Sequence, residues 1–153
     1  MSLDFQATAK RLAELAETSP TPEGRKEVSE VALSKWEGLQ VAAARTLCTW
    51  GDEDSLRTVR ELLERLSQDR QRHSSILAVG RALSRSLKLQ DLDWVLALYF
   101  EKANPHNRIW LSQLLVATPR EPTLKALEAR IDVRGYDQTE VRDAIAAVRS
   151  FVS

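Results

Sequence analysis

Few side chains in this sequence have the types and spacing that chemistry requires. The chain of 153 residues contains one cysteine, Cys48, and two histidines, His73 and His106. A single cysteine cannot form an intrachain disulfide, and these three residues do not have the spacing of a structural zinc site. Two serines follow His73 directly, but adjacent residues of one helix do not face each other, so a Ser–His nucleophilic pair is not expected there.

Other catalytic signatures are missing from the sequence as well. The five glycines are scattered, and neither GxGxxG, GxxxxGK, HExxH nor CxxC occurs. Carboxylate pairs such as Glu61 and Glu64 lie among arginines and are typical of a solvated helix face. Cys48 lies on an apolar stripe, which is typical of a small core residue. We therefore expect a protein that is not an enzyme, with no catalytic residue, no metal site and no cofactor.

The composition limits the class of protein further. Lys and Arg number 22 and Asp and Glu number 22, and this balance argues against a strongly basic nucleic-acid-binding protein. The longest apolar run, 94–100, is far shorter than the roughly 20 residues that span a bilayer. No N-terminal segment has the pattern of a signal peptide. We expect a cytoplasmic protein that does not bind membranes.

The sequence pattern predicts helices throughout the chain. Leucine and valine recur with helical period between residues 56 and 66, and charged residues occupy the opposite face. Turn residues recur at intervals that leave segments of roughly 12–16 residues, close to ordinary helix length. Thr21 before Pro22 and Asn104 before Pro105 place a capping side chain ahead of a first-turn proline. The sequence predicts an all-α fold of about nine helices without strands.

An internal repeat relates these helices. Successive shifts of 36, 32 and 32 residues align the chain in three columns. The first column is apolar and contains Val41, Leu77, Ile109 and Val141. The second contains the small residues Ala44, Gly80, Ser112 and Ala144, and the third contains Leu47, Leu83, Leu115 and Ala147. Small residues at a helix crossing allow close approach. The repeat predicts one domain over 1–153 that stacks antiparallel helical hairpins. The predicted hairpins cover 3–34, 37–67, 72–103 and 105–133, and a C-terminal helix covers 137–152.

The segment 38–66 carries the most specific pattern in the chain. It has an alanine-rich first helix, a Gly51-Asp52 turn, an amphipathic second helix, and Asp54 followed six positions on by Arg60. In these features it resembles the HEAT-repeat family of armadillo-type α-solenoids, and the rest of the chain shares the pattern without this motif. The resemblance implies an α–α superhelix, a concave surface lined by the second helices, and a function in binding.

The helix predicted over Asp91 to Lys102 carries surplus apolar side chains. Trp94, Leu96 and Phe100 are apolar where the neighbouring units are mostly polar. The surplus indicates either a surface that binds a partner or a second copy, or a central helix that the chain itself covers. These three residues are the candidate protein-binding residues.

A basic run and a polar row provide two further candidate sites. The stretch 70–90 contains no acidic residue, and its possible phosphate contacts are Arg70, Arg72, Arg81, Arg85 and Lys88. The alternative is that these side chains pair with acids of adjacent repeats. The aligned row of Arg45, Arg81 and Gln113 either lines a ligand groove or forms a ladder of hydrogen bonds between repeats.

Together these patterns favour a noncatalytic protein-binding module or adaptor of HEAT-repeat type. One alternative is a nucleic-acid-binding α-solenoid that uses the basic edge at 70–88. The other is a structural subunit that self-associates through the 91–102 helix. The expected partner is another protein or a copy of this chain, and nucleic acid is the less favoured partner.

Overall fold

Capping side chains set where several helices begin in the computed structural model, which describes residues 4–151. The Thr21 hydroxyl accepts a hydrogen bond from the Gly24 amide, and the Asn104 side chain accepts one from the His106 amide, so both predicted caps are confirmed. Asp52 caps the next helix by accepting from the Ser55 amide.

The described part of the chain is all-helical and contains no strand, which confirms the all-α prediction. Its nine α-helices are α1 (Phe5–Ala16), α2 (Pro22–Ala32), α3 (Glu37–Trp50), α4 (Glu53–Ser67), α5 (His73–Ser84), α6 (Leu92–Ala97), α7 (Arg108–Ala117), α8 (Arg120–Glu128) and α9 (Gln138–Ser150). The predicted start at residue 3 and end at residue 152 lie outside the described residues.

The helices pack in two layers. The odd-numbered layer is a continuous series in which α1 contacts α3, α3 contacts α5, α5 contacts α7, and α7 contacts α9. On the other side, α2 contacts α4, and α4 contacts the π-helical turn Leu98–Lys102 that follows α6. Fully buried leucines, among them Leu47, Leu63, Leu83 and Leu115, form the core.

The three aligned columns have different environments. The small column is buried at Ala44, Gly80 and Ala144, as close crossing requires. The apolar column is not uniformly core, because Ile109 is 68% exposed. The buried environment is therefore kept at most positions of the small column but not at every position of the apolar column.

The segment predicted as one helix over 91–102 is irregular at both ends. A 3₁₀ turn at Leu89–Asp91 precedes α6, and a π-helical turn at Leu98–Lys102 follows it. In the π-helical turn the Ala103 amide donates to the Leu98 carbonyl, so the Tyr99 carbonyl loses its helical partner. The Arg108 guanidinium compensates by donating to the carbonyls of Tyr99 (3.0 Å) and Phe100 (3.2 Å).

The connection from α6 to α7 is also fastened to the end of α4. The Asn104 amide donates to the Ser67 carbonyl at 2.9 Å. The buried Asn107 side chain donates to the same carbonyl and to that of Asp69. These bonds satisfy carbonyls at a helix C-terminus that would otherwise need water.

Gly80 and Gln113 mark the closest approach of α5 and α7. The Gln113 Nε2 donates to the Leu77 carbonyl across this crossing and to the Trp110 carbonyl of its own helix, both at 3.2 Å. A Cβ added at Gly80 would lie 2.5 Å from Nε2, so any larger residue must displace the amide. Gln113 therefore ties α7 to α5 through one side-chain hydrogen bond.

We expect Gly80→Ala and Gln113→Ala to be energetically coupled. In the wild-type background, Gly80→Ala gains about 1 kcal/mol of helix propensity and loses the Gln113 hydrogen bond, so the free energy of unfolding changes little. In the Gln113→Ala background, the same substitution stabilises the protein by about 1 kcal/mol. A double-mutant cycle by urea unfolding measures the coupling, and a value below about 0.3 kcal/mol would contradict this contact.

Candidate binding groove between helices α3 and α5

A groove of about 650 Å³ lies between α3 and α5. Three arginines line it: Arg45 from α3, Arg81 from α5, and Arg85, which directly follows α5. The remaining lining is apolar or hydroxyl-bearing: Cys48, Thr49, Ser74, Leu77, Ala78, Ala82 and Ser86. The lining residues therefore include no acidic side chain.

Helical periodicity directs these residues to one surface. On α5, Leu77 and Arg81 are four residues apart, as are Ala78 and Ala82, so each pair shares a face. The opposite face of α5 is buried through residues such as Ile76 and Val79. Because Ala78 and Ala82 carry only a methyl group, the space between the arginines stays open.

The three groove arginines are unpaired charges. Arg45, Arg81 and Arg85 are exposed, and none forms a salt bridge with an acidic residue within 4–151. A guanidinium stays protonated at all physiological pH values. The groove thus concentrates three positive charges without an intramolecular counter-charge.

The other basic residues of the predicted edge behave differently. Arg72 pairs with Glu37 at 2.8 Å and with Asp69 at 3.3 Å. Its hydrogen bond to Glu37 lowers the pKa of that carboxyl group. Arg70 and Lys88 are exposed and do not line the groove. The structure therefore places Arg81 and Arg85 in one site and assigns Arg72 to an ion pair between repeats.

The predicted polar row is likewise divided. Arg45 and Arg81 both line the groove, whereas Gln113 donates a hydrogen bond from α7 to the Leu77 carbonyl of α5. Sequence reasoning did not identify the hydroxyl groups of Ser74 and Ser86 as part of this site. For Ser74 the signal that could have found it is its helical spacing from Arg81, since residues seven apart lie near the same face. Ser86 lies beyond the end of α5, and helical spacing does not place it there.

The chain itself covers much of the apolar surplus of α6. Leu96 is only 4% exposed and belongs to the core. Of the two alternatives that the sequence left open, this burial fits a helix covered by the chain itself. Trp94 is half-buried, and its Nε1 donates to the Glu64 carboxylate at 2.8 Å. The Lys102 ammonium pairs with the same carboxylate at 2.7 Å.

Phe100 is half-buried in an aromatic cluster with a cation on top. Its ring meets the rings of Tyr99 and Tyr136 edge-on, at centroid distances of 4.8 and 5.4 Å. The Arg130 guanidinium carbon lies 5.7 Å from the Phe100 centroid and 5.4 Å from that of Tyr136. The same repeat shifts align Arg130 with Leu62 and Leu98, and contact with this aromatic cluster explains why a cation replaces leucine at this position.

The candidate nucleophile and bases lie apart. Burial raises the pKa of the Cys48 thiol to about 12, so Cys48 is protonated at neutral pH. His73 is exposed and stacks against Trp110 with ring centroids 5.5 Å apart. His106 is exposed at the start of the turn before α7. Neither histidine is among the residues that line the groove with Cys48.

Within the described residues, neither a metal site nor a membrane-spanning helix accompanies the groove. Between residues 4 and 151, no group of three or more His, Cys, Asp or Glu side chains is placed to hold a metal ion. None of the helices described above is both long enough and apolar enough to cross a membrane. Comparisons of the chain with models of protein families, with curated proteins and with solved structures find no match.

Substitution of Leu96 tests whether this residue belongs to the core. We expect Leu96→Ser to lower the free energy of unfolding by about 3 kcal/mol or more, because it creates a cavity and buries a hydroxyl. The matched control is Leu89→Ser, since Leu89 is 56% exposed in the turn before α6 and should change stability by no more than about 0.5 kcal/mol. Urea unfolding measures the free energy of unfolding of both variants. An equal loss in the two variants would contradict the burial of Leu96 in the core.

The pH dependence of stability tests the contacts of Glu64. Burial raises the pKa of Glu64, but hydrogen bonds from Lys102 and Trp94 outweigh it, so the pKa lies below its ordinary value of 4.5. Such a carboxylate stabilises the folded state at neutral pH and loses this effect as the pH falls from about 4.5 through the folded pKa.

Glu64→Gln is therefore expected to be less stable than wild type by about 1 kcal/mol at pH 7. The difference should shrink as the pH falls from about 4.5 through the lowered folded pKa of Glu64, because wild type then also acquires a neutral side chain. Urea unfolding of both proteins between pH 7 and pH 3 measures it. A difference that stays constant over this range would show that the Glu64 charge does not contribute.

Proposed function

We propose that this protein is a noncatalytic protein-binding module whose helices stack in the manner of HEAT repeats, and that it holds its partner in the groove between α3 and α5. The observation that carries the proposal is the convergence of Arg45, Arg81 and Arg85, without acidic partners, on one open groove. Like charges held together raise the free energy of the unbound protein, and a ligand of opposite charge relieves that cost.

Ion pairs between successive even-numbered helices support HEAT-like stacking. Arg25 of α2 pairs with Asp52 at the start of α4 (2.8 Å), and Arg60 of α4 lies 3.8 Å from Asp91 before α6. The family-like spacing of Asp54 and Arg60 is not a direct pair, because Asp54 binds Arg57. Arg60 instead pairs with Glu53 of its own helix and reaches the next unit only through its 3.8 Å contact with Asp91.

The chemistry of the groove supports binding without catalysis. Its lining contains no histidine and no carboxylate that could act as a general base for the nearby hydroxyls. Its one thiol, Cys48, has a pKa raised to about 12 by burial. Guanidinium groups and hydroxyls without a base can bind and orient an anion, but they supply no nucleophile.

Nucleic acid is the second candidate ligand, because Arg81 and Arg85 of the predicted basic edge both line the groove. Two observations make it the weaker candidate. The groove lining has no aromatic side chain on which a base could stack, and Arg72 is neutralised by its pairing with Glu37. Self-association through α6 receives no support, because Leu96 is buried and Phe100 is packed within the chain.

Capture of partners from a nuclease-treated native lysate tests the proposed function. Wild type is compared with Arg81→Ala/Arg85→Ala and with Arg134→Ala/Arg142→Ala, which removes two exposed arginines outside the groove. We expect wild type and the control variant to retain a common partner protein and the groove variant to retain at least about tenfold less of it, since each lost charge-assisted bond costs about 1.5–3 kcal/mol.

Quantitative mass spectrometry of the bound proteins is the readout. The proposal is wrong if all three proteins retain the same set, or if wild type retains nothing beyond the groove variant. A parallel capture from untreated lysate is the reference, and groove-dependent binding that occurs only in the untreated lysate would assign the groove to nucleic acid instead.

A further inference from the structure

We infer that the groove binds an acidic segment of a partner protein, in which two carboxylates about 6–7 Å apart pair with Arg81 and Arg85. This inference rests on the proposed function and specifies the chemistry of the partner. It derives from the spacing of the arginines, from two serine hydroxyls that make no other hydrogen bond, and from the apolar side chains of the same lining.

The spacing of the two arginines defines the spacing of the ligand charges. Arg85 has helical backbone angles, so Arg81 and Arg85 are one turn apart and separated by roughly 6 Å along the axis of α5. Carboxylates on alternate residues of an extended peptide are separated by roughly 6.6 Å. Acidic residues four apart on a helix have nearly the same separation, roughly 6 Å. Arg45 faces this pair from α3 and can bind a third carboxylate.

The donors around the groove suit carboxylate groups. A guanidinium presents its N–H groups as a planar fork that matches the two oxygens of a carboxylate. The Ser74 and Ser86 side-chain hydroxyls also line the groove, and neither makes a hydrogen bond with another residue of the described chain. The Thr49 hydroxyl, in contrast, already donates to the Arg45 carbonyl at 2.8 Å. Two hydroxyls therefore remain to complete the hydrogen bonding of a bound carboxylate.

The apolar part of the lining favours a protein segment over a nucleic acid. Leu77, Ala78 and Ala82 line the groove together with the arginines. The aliphatic carbons of a peptide can pack on these residues, whereas a nucleotide base would need an aromatic platform that the lining lacks. The volume of about 650 Å³ is within the roughly 300–1,000 Å³ of ordinary ligand pockets, which fits a segment of a few residues.

Fluorescence anisotropy with labelled synthetic peptides tests the inference. The probe is a short peptide of alternating Asp and Leu, and its matched control replaces every Asp with Asn. At 50 mM salt we expect the acidic probe to bind wild type at least tenfold more tightly than the Asn peptide. We expect Arg81→Ala/Arg85→Ala to weaken binding at least tenfold and Arg134→Ala/Arg142→Ala to change it less than twofold.

Two further arms test the geometry of the pairing and the class of ligand. Because Lys cannot form the planar fork, Arg81→Lys/Arg85→Lys should weaken binding at least threefold, and wild-type affinity in this variant would overturn the bidentate pairing. A single-stranded oligonucleotide of equal charge should bind more weakly than the acidic peptide, and tighter binding would overturn the choice of a protein ligand. Circular dichroism and thermal unfolding confirm that each variant is folded.

The outcomes separate this inference from the proposed function. If lysate capture depends on Arg81 and Arg85 but the acidic peptide does not bind, the inference is wrong and the proposed function stands. If the peptide binds as expected but no partner is captured, the proposed function is wrong and the groove chemistry stands. Equal binding of the Asp and Asn peptides would overturn the inference directly.

Discussion

The close crossing of successive odd-numbered helices is the constraint on which the rest of this molecule depends. Buried small residues at Ala44, Gly80 and Ala144 allow α3, α5, α7 and α9 to lie near their neighbours, and leucines in the next turn fill the core. Because α3 and α5 lie side by side, Arg45 and Arg81 reach the same groove although they are 36 residues apart in the chain. The candidate site is therefore a product of the repeat geometry rather than of a local motif.

The electrostatics of the groove depend on which arginines find partners. A formal net charge of zero conceals an uneven surface, since Arg72 is held by Glu37 and Asp69 while Arg81 and Arg85 are not paired within the described chain. The pairing in turn depends on where α3 begins, because Glu37 is the first residue of that helix. Helix boundaries thus decide which charges are neutralised and which are available for binding.

The sequence predicted the local order of the chain well and its long-range contacts less well. Helical period and caps such as Thr21 are properties of nearby residues, so the all-α fold and most helix positions followed from them. The sequence could not show that Arg130 and Tyr136 pack on Phe100, because both residues lie at least 30 positions away from it in the chain. Arg45 and Gln113 occupy equivalent positions of the repeat. Only Gln113 donates a hydrogen bond to the neighbouring helix, because Gly80 leaves room for its amide group.

The bonds from Asn104 and Asn107 to the end of α4 have a consequence for how the protein opens. They join the last turn of α4 to the connection before α7, across the whole of α5 and α6. If either segment unfolds, the other keeps buried polar groups without hydrogen-bond partners. The two segments should therefore lose their protection from amide hydrogen exchange together. We therefore expect the end of α4 and the connection before α7 to open together as one cooperative unit.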